Sequence, residues 1–236
     1  MEHVLDNPIF YALSSGHAHL AKGVETVKYY IEDITAFAGL KDNSQENLDT
    51  LYQISPPESL FVFFAKTPVE IPEQWKLLTH IDMFQFIFRG TKISDTDGAE
   101  LTDLDLEHVT EMIDLVELTK PGPFLPKTIA LSNYTGIFVN GKLASMAGHR
   151  FFPSPYREVS AVCTHPDHLG KGYSFKILQE QIKRILLRNE IPFLHVRNDN
   201  EGAIKLYQKL GFEIRTDMIA YVIKKEALHS RENVSK

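Results

Sequence analysis

The sequence predicts an α/β protein in which strand-type runs alternate with amphipathic helices, and three observations carry that prediction. Arg157–Thr164 (REVSAVCT) reads as a buried strand that passes through a glycine-bearing loop into a long helix from Gly172 to Arg188. That helix places Phe175, Ile177, Leu178, Ile182, Ile185 and Leu186 inward. Asn140-Gly141 lies between two strand-type runs, Tyr134–Val139 and Lys142–Arg150, and suits the type I′ turn of a hairpin. Pro192–Val196, Glu201–Leu210 and Asp217–Lys224 then read as strand, helix and strand, with Gly211 capping the helix.

The remaining elements follow from the N-terminal end. His19–Ala36 has an apolar repeat near the helical period, with Leu20, Val24, Val27, Ile31 and Ile34 on one side, and is predicted as a helix. Leu48, Leu51 and Tyr52 mark a second, short helix stopped by Pro56-Pro57. Leu60–Ala65 (LFVFFA) and Met83–Arg89 (MFQFIFR) are strand-type runs, and Pro68, Pro72 and Trp75 belong to a turn-rich connection between them. Residues 91–103 are polar and acidic and read as a linker. Glu107–Leu118 is an amphipathic helix that cannot continue through Lys120-Pro121-Gly122-Pro123.

Composition narrows the function classes. With 43% hydrophobic and 11% aromatic residues, the 236-residue chain can offset the ordering entropy, which excludes a disordered protein. A chain of this length buries roughly 70% of its unfolded surface. The net charge of −6 argues against a general nucleic-acid binder. All of that charge lies at one end: residues 1–80 hold 5 Lys and no Arg against 11 acids, whereas residues 81–236 hold 20 bases and 20 acids. The split suggests an acidic N-terminal α/β domain over 1–82, with no motif of its own, and a second domain over 83–236. Cys163 is the single cysteine, so neither an intrachain disulfide nor a CxxC site exists. The start, MEHVLDNPIF, is not a signal peptide, and no run approaches the ~20 apolar residues of a membrane helix. A cytoplasmic protein without nucleic-acid or membrane partners is expected.

Two segments carry chemistry. In Val162-Cys-Thr-His-Pro-Asp-His-Leu-Gly-Lys-Gly-Tyr-Ser174, Gly170 and Gly172 let the backbone approach a ligand, and a new helix offers unpaired N–H groups. Such a terminus suits a phosphate or pyrophosphate, with Lys171, Lys176, Lys183 and Arg184 nearby in sequence. Taken alone, the segment reads equally as an ordinary strand-to-helix turn. It is neither a Walker loop nor a dinucleotide fingerprint. In Asn200-Glu-Gly-Ala-Ile-Lys-Leu-Tyr-Gln-Lys-Leu-Gly-Phe212, Ala203, Leu206, Tyr207 and Leu210 share one helical face, so Tyr207 alone would pass for a core aromatic.

In this order and separation, the two segments resemble the GNAT superfamily of acyl-CoA-dependent N-acyltransferases, particularly the branch similar to glycine N-acyltransferases. The superfamily's Gln/Arg-x-x-Gly-x-Gly/Ala signature falls on Leu169-Gly170-Lys171-Gly172-Tyr173-Ser174, where Gly172 matches while Leu169 and Ser174 depart from it. The second segment matches the family's N-x-x-A-I-x-L-Y-x-K-L-G-F. The resemblance covers roughly residues 83–225. It implies a mixed, mostly antiparallel central sheet flanked by helices, and acetyl-CoA (or another short acyl-CoA) as cosubstrate with no metal.

Residue by residue, the resemblance implies that Val162, Cys163 and Thr164 expose backbone groups to the pantetheine arm, with the Val162 N–H polarising the thioester carbonyl. Leu169, Gly170, Lys171, Gly172, Tyr173 and Ser174 would hold the pyrophosphate. Asn200 and Ala203 would flank the cofactor arm, and Tyr207 would protonate the departing thiolate. Glu158 sits where some members carry a catalytic glutamate, and burial could raise its pKa toward a useful range. A solvent-facing glutamate paired with Arg157 or Arg150 is the equal alternative, and His149 or water are the other candidate bases.

Other residues weigh less. His165 and His168 lack further metal ligands. Cys163 reads as packing, and Ser132, Ser160 and Ser174 lack a GxSxG context. Residues 120–124 fall where the superfamily places a substrate-facing loop, and read equally as a rigid connector. The function expected is direct acetyl or short-acyl transfer to a small-molecule or peptide amine, with a homodimer left open. A non-catalytic acyl-CoA sensor, or an interaction module using the N-terminal region, is the alternative.

Overall fold

The computed structural model describes residues 3–90, 101–131 and 133–226. The first helix, α1 (Pro8–Ser14), has proline at its first position, where the missing N–H costs nothing. A small antiparallel sheet follows, made of β1 (Ala21–Gly23), β2 (Val27–Tyr30) and β3 (Ala38–Leu40). The next helix, α2 (Gln45–Ile54), is capped by Ser44, whose side chain accepts from the Asn47 N–H. Then come β4 (Leu60–Ala65), β5 (Trp75–Phe88), β6 (Thr102–Asp103), α3 (Val109–Thr119), β7 (Thr135–Val139) and β8 (Lys142–His149). The chain continues through β9 (Tyr156–Thr164), α4 (Tyr173–Leu186), β10 (Ile191–Arg197), α5 (Glu201–Lys209) and β11 (Phe212–Lys225).

Eight strands form the main sheet in the order β4-β11-β5-β10-β9-β8-β7-β6. Every neighbouring pair is antiparallel except β9 and β10, which are parallel and therefore need a crossover; α4 supplies it. One face is covered by α4 and α5 over a cluster that includes Phe86, Val159, Leu178, Ile182, Leu194, Tyr207 and Phe212. The opposite face packs against α1, the small sheet and α3, with Tyr30, Phe37, Phe151 and Phe193 fully buried. No helix among the described residues is long and apolar enough to cross a membrane.

The mixed, mostly antiparallel sheet with flanking helices is the predicted class, and the elements from residue 107 onward lie within a few residues of their predicted bounds. Asn140 and Gly141 both have positive φ, 52° and 75°, as a type I′ turn demands.

Three expectations are corrected. His19–Ala36 is not a helix but a 3₁₀ turn followed by β1 and β2. Gly23 interrupts it at φ 115°, where an added Cβ would lie 2.2 Å from the Val27 carbonyl oxygen, and Val24, Thr26, Val27, Ile31, Ile34 and Thr35 are β-branched. Trp75 opens the 14-residue strand β5 rather than sitting in the connection, because β5 pairs with β11 along its whole length. The domain boundary at 82/83 therefore falls inside β5, and Leu5, Ile9 and Leu13 share one apolar cluster with Phe151, Phe193 and Met218. The N-terminal third builds the edge and one face of the same body. The predicted linker, 91–103, lies outside the described residues except for its last three, of which Thr102 and Asp103 form β6.

Candidate active site

The parallel strands β9 and β10 pair only at their starts, with Ile191 opposite Tyr156, Pro192 opposite Arg157 and Phe193 opposite Glu158. Both strands run on, to Thr164 and Arg197, without further pairing, which leaves an open seam in the middle of the sheet. The His165 N–H donates to the Ala144 carbonyl at 2.8 Å beside β8. Because main-chain groups alternate direction along a strand, Cys163 also turns toward β8, while Val162 and Thr164 present theirs to the seam.

Midway along β9 the register with β8 slips, from Met146↔Cys163 to Gly148↔Ser160, so β9 carries one extra residue. Ala161 takes up the slip at φ 52°, a left-handed conformation that costs roughly 1–2 kcal/mol for a residue with a Cβ. The bulge turns Ser160 and Ala161 to the same face, where both line a cleft.

At the far end of the seam stands the start of α4. Gly170 and Gly172 have φ of 76° and 78°, and an added Cβ at either would meet nothing within 4 Å. Gly172 is the N-cap and provides no side-chain cap; the first helical bond is Lys176 N–H to the Gly172 carbonyl, 3.1 Å. Among the described residues the amides of 170–175 donate no hydrogen bond, leaving them and the positive helix end for an anion. Thr164 Oγ1 lies 2.6 Å from Ser174 Oγ and 2.7 Å from Ser145 Oγ, which ties the strand end to the helix.

Leu169 is exposed, Tyr173 packs beside His168, and Lys171 Nζ lies 2.9 Å from His168 Nδ1. Lys171 and Lys176 stand at this terminus. Lys183 and Arg184 do not: they sit about 15 Å further along the helix axis. Arg184 is moreover paired with Asp103 at 2.6 Å and Glu180 at 2.7 Å.

Tyr207 is buried on α5, its ring 6.1 Å from both Phe86 and Phe212, in the apolar cluster that Val162 also touches. Burial pushes its phenol above the usual tyrosine range, so the hydroxyl stays protonated. Asn200 caps α5, its Oδ1 accepting from the Ala203 N–H at 3.1 Å, which leaves the amide NH₂ for a ligand. Burial raises the Cys163 thiol to about 12, which suits packing and not nucleophilic attack.

The two base candidates lie on β8 and β9, the strands expected to carry them, and both are buried. His149 faces α4 with neither ring nitrogen bonded, and burial lowers its pKa to about 3. It packs on the opposite side of the sheet from the cleft, beside Gln181, because the side chains of β8 alternate. Glu158 is fully buried; Arg150 Nε donates to one of its oxygens at 2.8 Å and Nη2 to the other at 2.6 Å. His195 Nδ1 is 2.6 Å from the same carboxylate. Burial alone would raise the Glu158 pKa, but the Arg150 charge and these hydrogen bonds win and hold it at about 2. A carboxylate so committed is a poor proton acceptor, and it acts instead as the anchor of Arg150.

The anchor extends across the sheet. Gln85 Nε2 donates to the Leu5 carbonyl at 2.8 Å and to His195 Nε2 at 2.9 Å, so His195 presents Nδ1–H to Glu158. Arg215 Nε donates to Gln85 Oε1 at 2.7 Å and pairs with Asp6. Sequence reading missed His195, Gln85 and Arg215; a polar residue inside each of three apolar strands was the available signal.

On the face opposite α4 and α5, a narrow cleft is lined by Arg150, Ser160, Ala161, Tyr134, the 121–124 loop and Thr35. The loop is where the sequence reading placed it. Thr35, from the N-terminal third, was not foreseen. Ser132 lies outside the described residues. Among the described residues no group of three or more His, Cys, Asp or Glu side chains is placed to hold a metal.

The FR47-like protein family matches residues 134–221, from the start of β7 into β11. N-alpha-acetyltransferase RimI of Mycobacterium tuberculosis is 31% identical over 86 residues, 35% of this chain and 52% of that one. DNA damage-inducible protein D of Escherichia coli K12 is 26% identical over 188 residues, 70% of this chain and 62% of that one. The chain thus spans between half and two thirds of these curated relatives. A solved Novosphingobium aromaticivorans structure assigned as a GNAT-family acetyltransferase superposes with a TM-score of 0.88 at 27% identity, covering 96% of this chain and 100% of that one. With the split between β9 and β10 and the uncapped α4 terminus in place, the chain has the GNAT acetyltransferase fold and is similar to proteins of that superfamily.

Proposed function

We propose that the chain is an N-acyltransferase that moves an acetyl or other short acyl group from acyl-CoA directly to an amine in a ternary complex. One juxtaposition carries the reading: the open seam runs from the unspent amides of α4 to the Val162 backbone, and the cleft opens on the other face of the same bulge. A thioester laid in the seam would reach an amine held in the cleft without a covalent enzyme intermediate.

The amides of 170–175, aided by Lys171 and Lys176, fit a pyrophosphate. The main chain of Val162 and Thr164 would pair with the extended pantetheine as a strand edge does, and the Val162 N–H would polarise the carbonyl that the amine attacks. As the new C–N bond forms and the C–S bond breaks, the amine gives up one proton and the sulfur leaves as a thiolate. Tyr207, protonated because it is buried, meets that thiolate as a hydrogen-bond donor and proton source. With Glu158 bound to Arg150 and His195, the amine's proton passes to water in the cleft.

Free thiol released from acetyl-CoA over a panel of amines tests the proposal. Amine-dependent release is expected. Binding of acetyl-CoA with transfer to no amine would identify a sensor instead.

A further inference from the structure

The start of α4 is joined to the end of β9 by a row of hydroxyls. Ser145 lies on β8, Thr164 ends β9, and Ser174 is the second residue of α4. Thr164 Oγ1 stands between the other two, 2.7 Å from Ser145 Oγ and 2.6 Å from Ser174 Oγ.

The row has one direction. Ser145 Oγ donates to the Cys163 carbonyl at 2.9 Å, and a carbonyl only accepts. A hydroxyl carries a single proton, so Ser145 has none left for Thr164 and accepts from it instead. Thr164 gives its proton to Ser145 and therefore accepts from Ser174. The Ser174 proton is thus committed to Thr164 and is not free for an anion at the helix terminus. Ser145 is fully buried, so the inner end of the row is shielded from water and the direction is held.

The row also returns to the strand. The Cys163 carbonyl belongs to the peptide unit whose N–H is that of Thr164, and the Thr164 main chain faces the open seam. Each hydrogen bond in such a row polarises the next, so its last bond strengthens a donor on the seam. Ser174 stands where the signature in the sequence has Gly or Ala, neither of which has a hydroxyl to give.

Resting on the acyl-transfer reading above, we infer that Ser174 is a positioning residue. Through Thr164 and Ser145 it fixes the first turn of α4 against the end of β9. The amides suited to pyrophosphate and the strand edge suited to pantetheine are thereby set in register before acyl-CoA arrives. Ser174 acts through Thr164 and not by touching the phosphate. A helix terminus already aimed needs no ordering when the anion binds, and that saving appears as affinity.

The test titrates the full chain with CoA by calorimetry, and with pantetheine, which lacks the pyrophosphate, by displacement of CoA. Ser174→Ala is expected to weaken CoA about fivefold, the worth of one hydrogen bond, and to shrink the preference for CoA over pantetheine by the same factor. Thr164→Val keeps the shape and loses the hydroxyl, and is expected to weaken CoA equally. The double variant should lose no more than either single one, because both break the same link. Ser174→Thr keeps a hydroxyl and is expected to restore the affinity. CoA binding as tight in Ser174→Ala as in the unsubstituted chain would overturn the inference. So would losses that multiply in the double variant, the mark of a hydroxyl acting on the phosphate directly, or equal losses for CoA and pantetheine, the mark of a general loss of structure. Each of these outcomes leaves the acyl-CoA reading standing; failure of the unsubstituted chain to bind CoA would overturn both.

Discussion

The two faces of β9 are built in different ways. The face toward α4 and α5 is assembled from neighbours in sequence: strand, loop and helix follow one another from Val159 to Leu186, and α5 closes the cluster with Tyr207. The opposite face is assembled from a distance. Thr35, the 121–124 loop, Arg150 and Ser160 come from four separate stretches, and Arg150 is fixed through Glu158, His195, Gln85 and Arg215 on four further positions of the sheet. A site made of contiguous chain leaves a motif. A site made by packing leaves scattered single residues, each unremarkable where it stands.

The sharpest way to break this comparison is at Glu158. If it anchors Arg150, Glu158→Gln leaves a buried cation short of its partner and lowers stability by about 3–5 kcal/mol, read from urea unfolding. Full stability together with lost turnover would restore Glu158 as the base. Next in size is Tyr207→Phe on the contiguous face. It should lower kcat about 100-fold with little change in the acetyl-CoA Kd, and unchanged turnover would remove Tyr207 from the mechanism.

His149, on the α4 side, gives a smaller effect with a definite sign. Its pKa is lowered by burial from 6.5 to about 3, so the folded state stays neutral while the unfolded chain takes up a proton. Its contribution to stability is complete above pH 6.5 and is lost as the pH falls toward 3. Between neutrality and pH 5 the loss is about 2 kcal/mol, and His149→Leu should flatten that part of a stability-versus-pH curve. His17, lowered by burial to about 4, adds loss of the same sign and would survive the substitution. The smallest effect is Gly172→Ala, which places a Cβ at φ 78° for about 1–2 kcal/mol of strain and should weaken acetyl-CoA binding about tenfold by calorimetry.

Legibility followed the same division. Glycine spacing, the Asn140-Gly141 turn and the apolar periods of α4 and α5 made the face toward α4 and α5 legible, because each is a local backbone requirement. His19–Ala36 was misread because an apolar repeat of one face suits a helix until Gly23 and the β-branched residues are weighed against it. The N-terminal third looked separate because its charge differs. Yet Asp6 pairs with Arg215, Asp33 pairs with Lys127 at 2.5 Å, and β4 pairs with β11, so complementary charge joins what composition divided. Glu158 was found by position, but its partner His195 lies 37 residues away and could not be.

The central claim is that the β9–α4 seam receives acyl-CoA. Amide hydrogen exchange with and without CoA measures it directly. The account predicts new protection at Val162, Thr164 and residues 170–175, with the 121–124 loop unchanged until an amine is added. Protection confined to other segments, or none at saturating CoA, would contradict it.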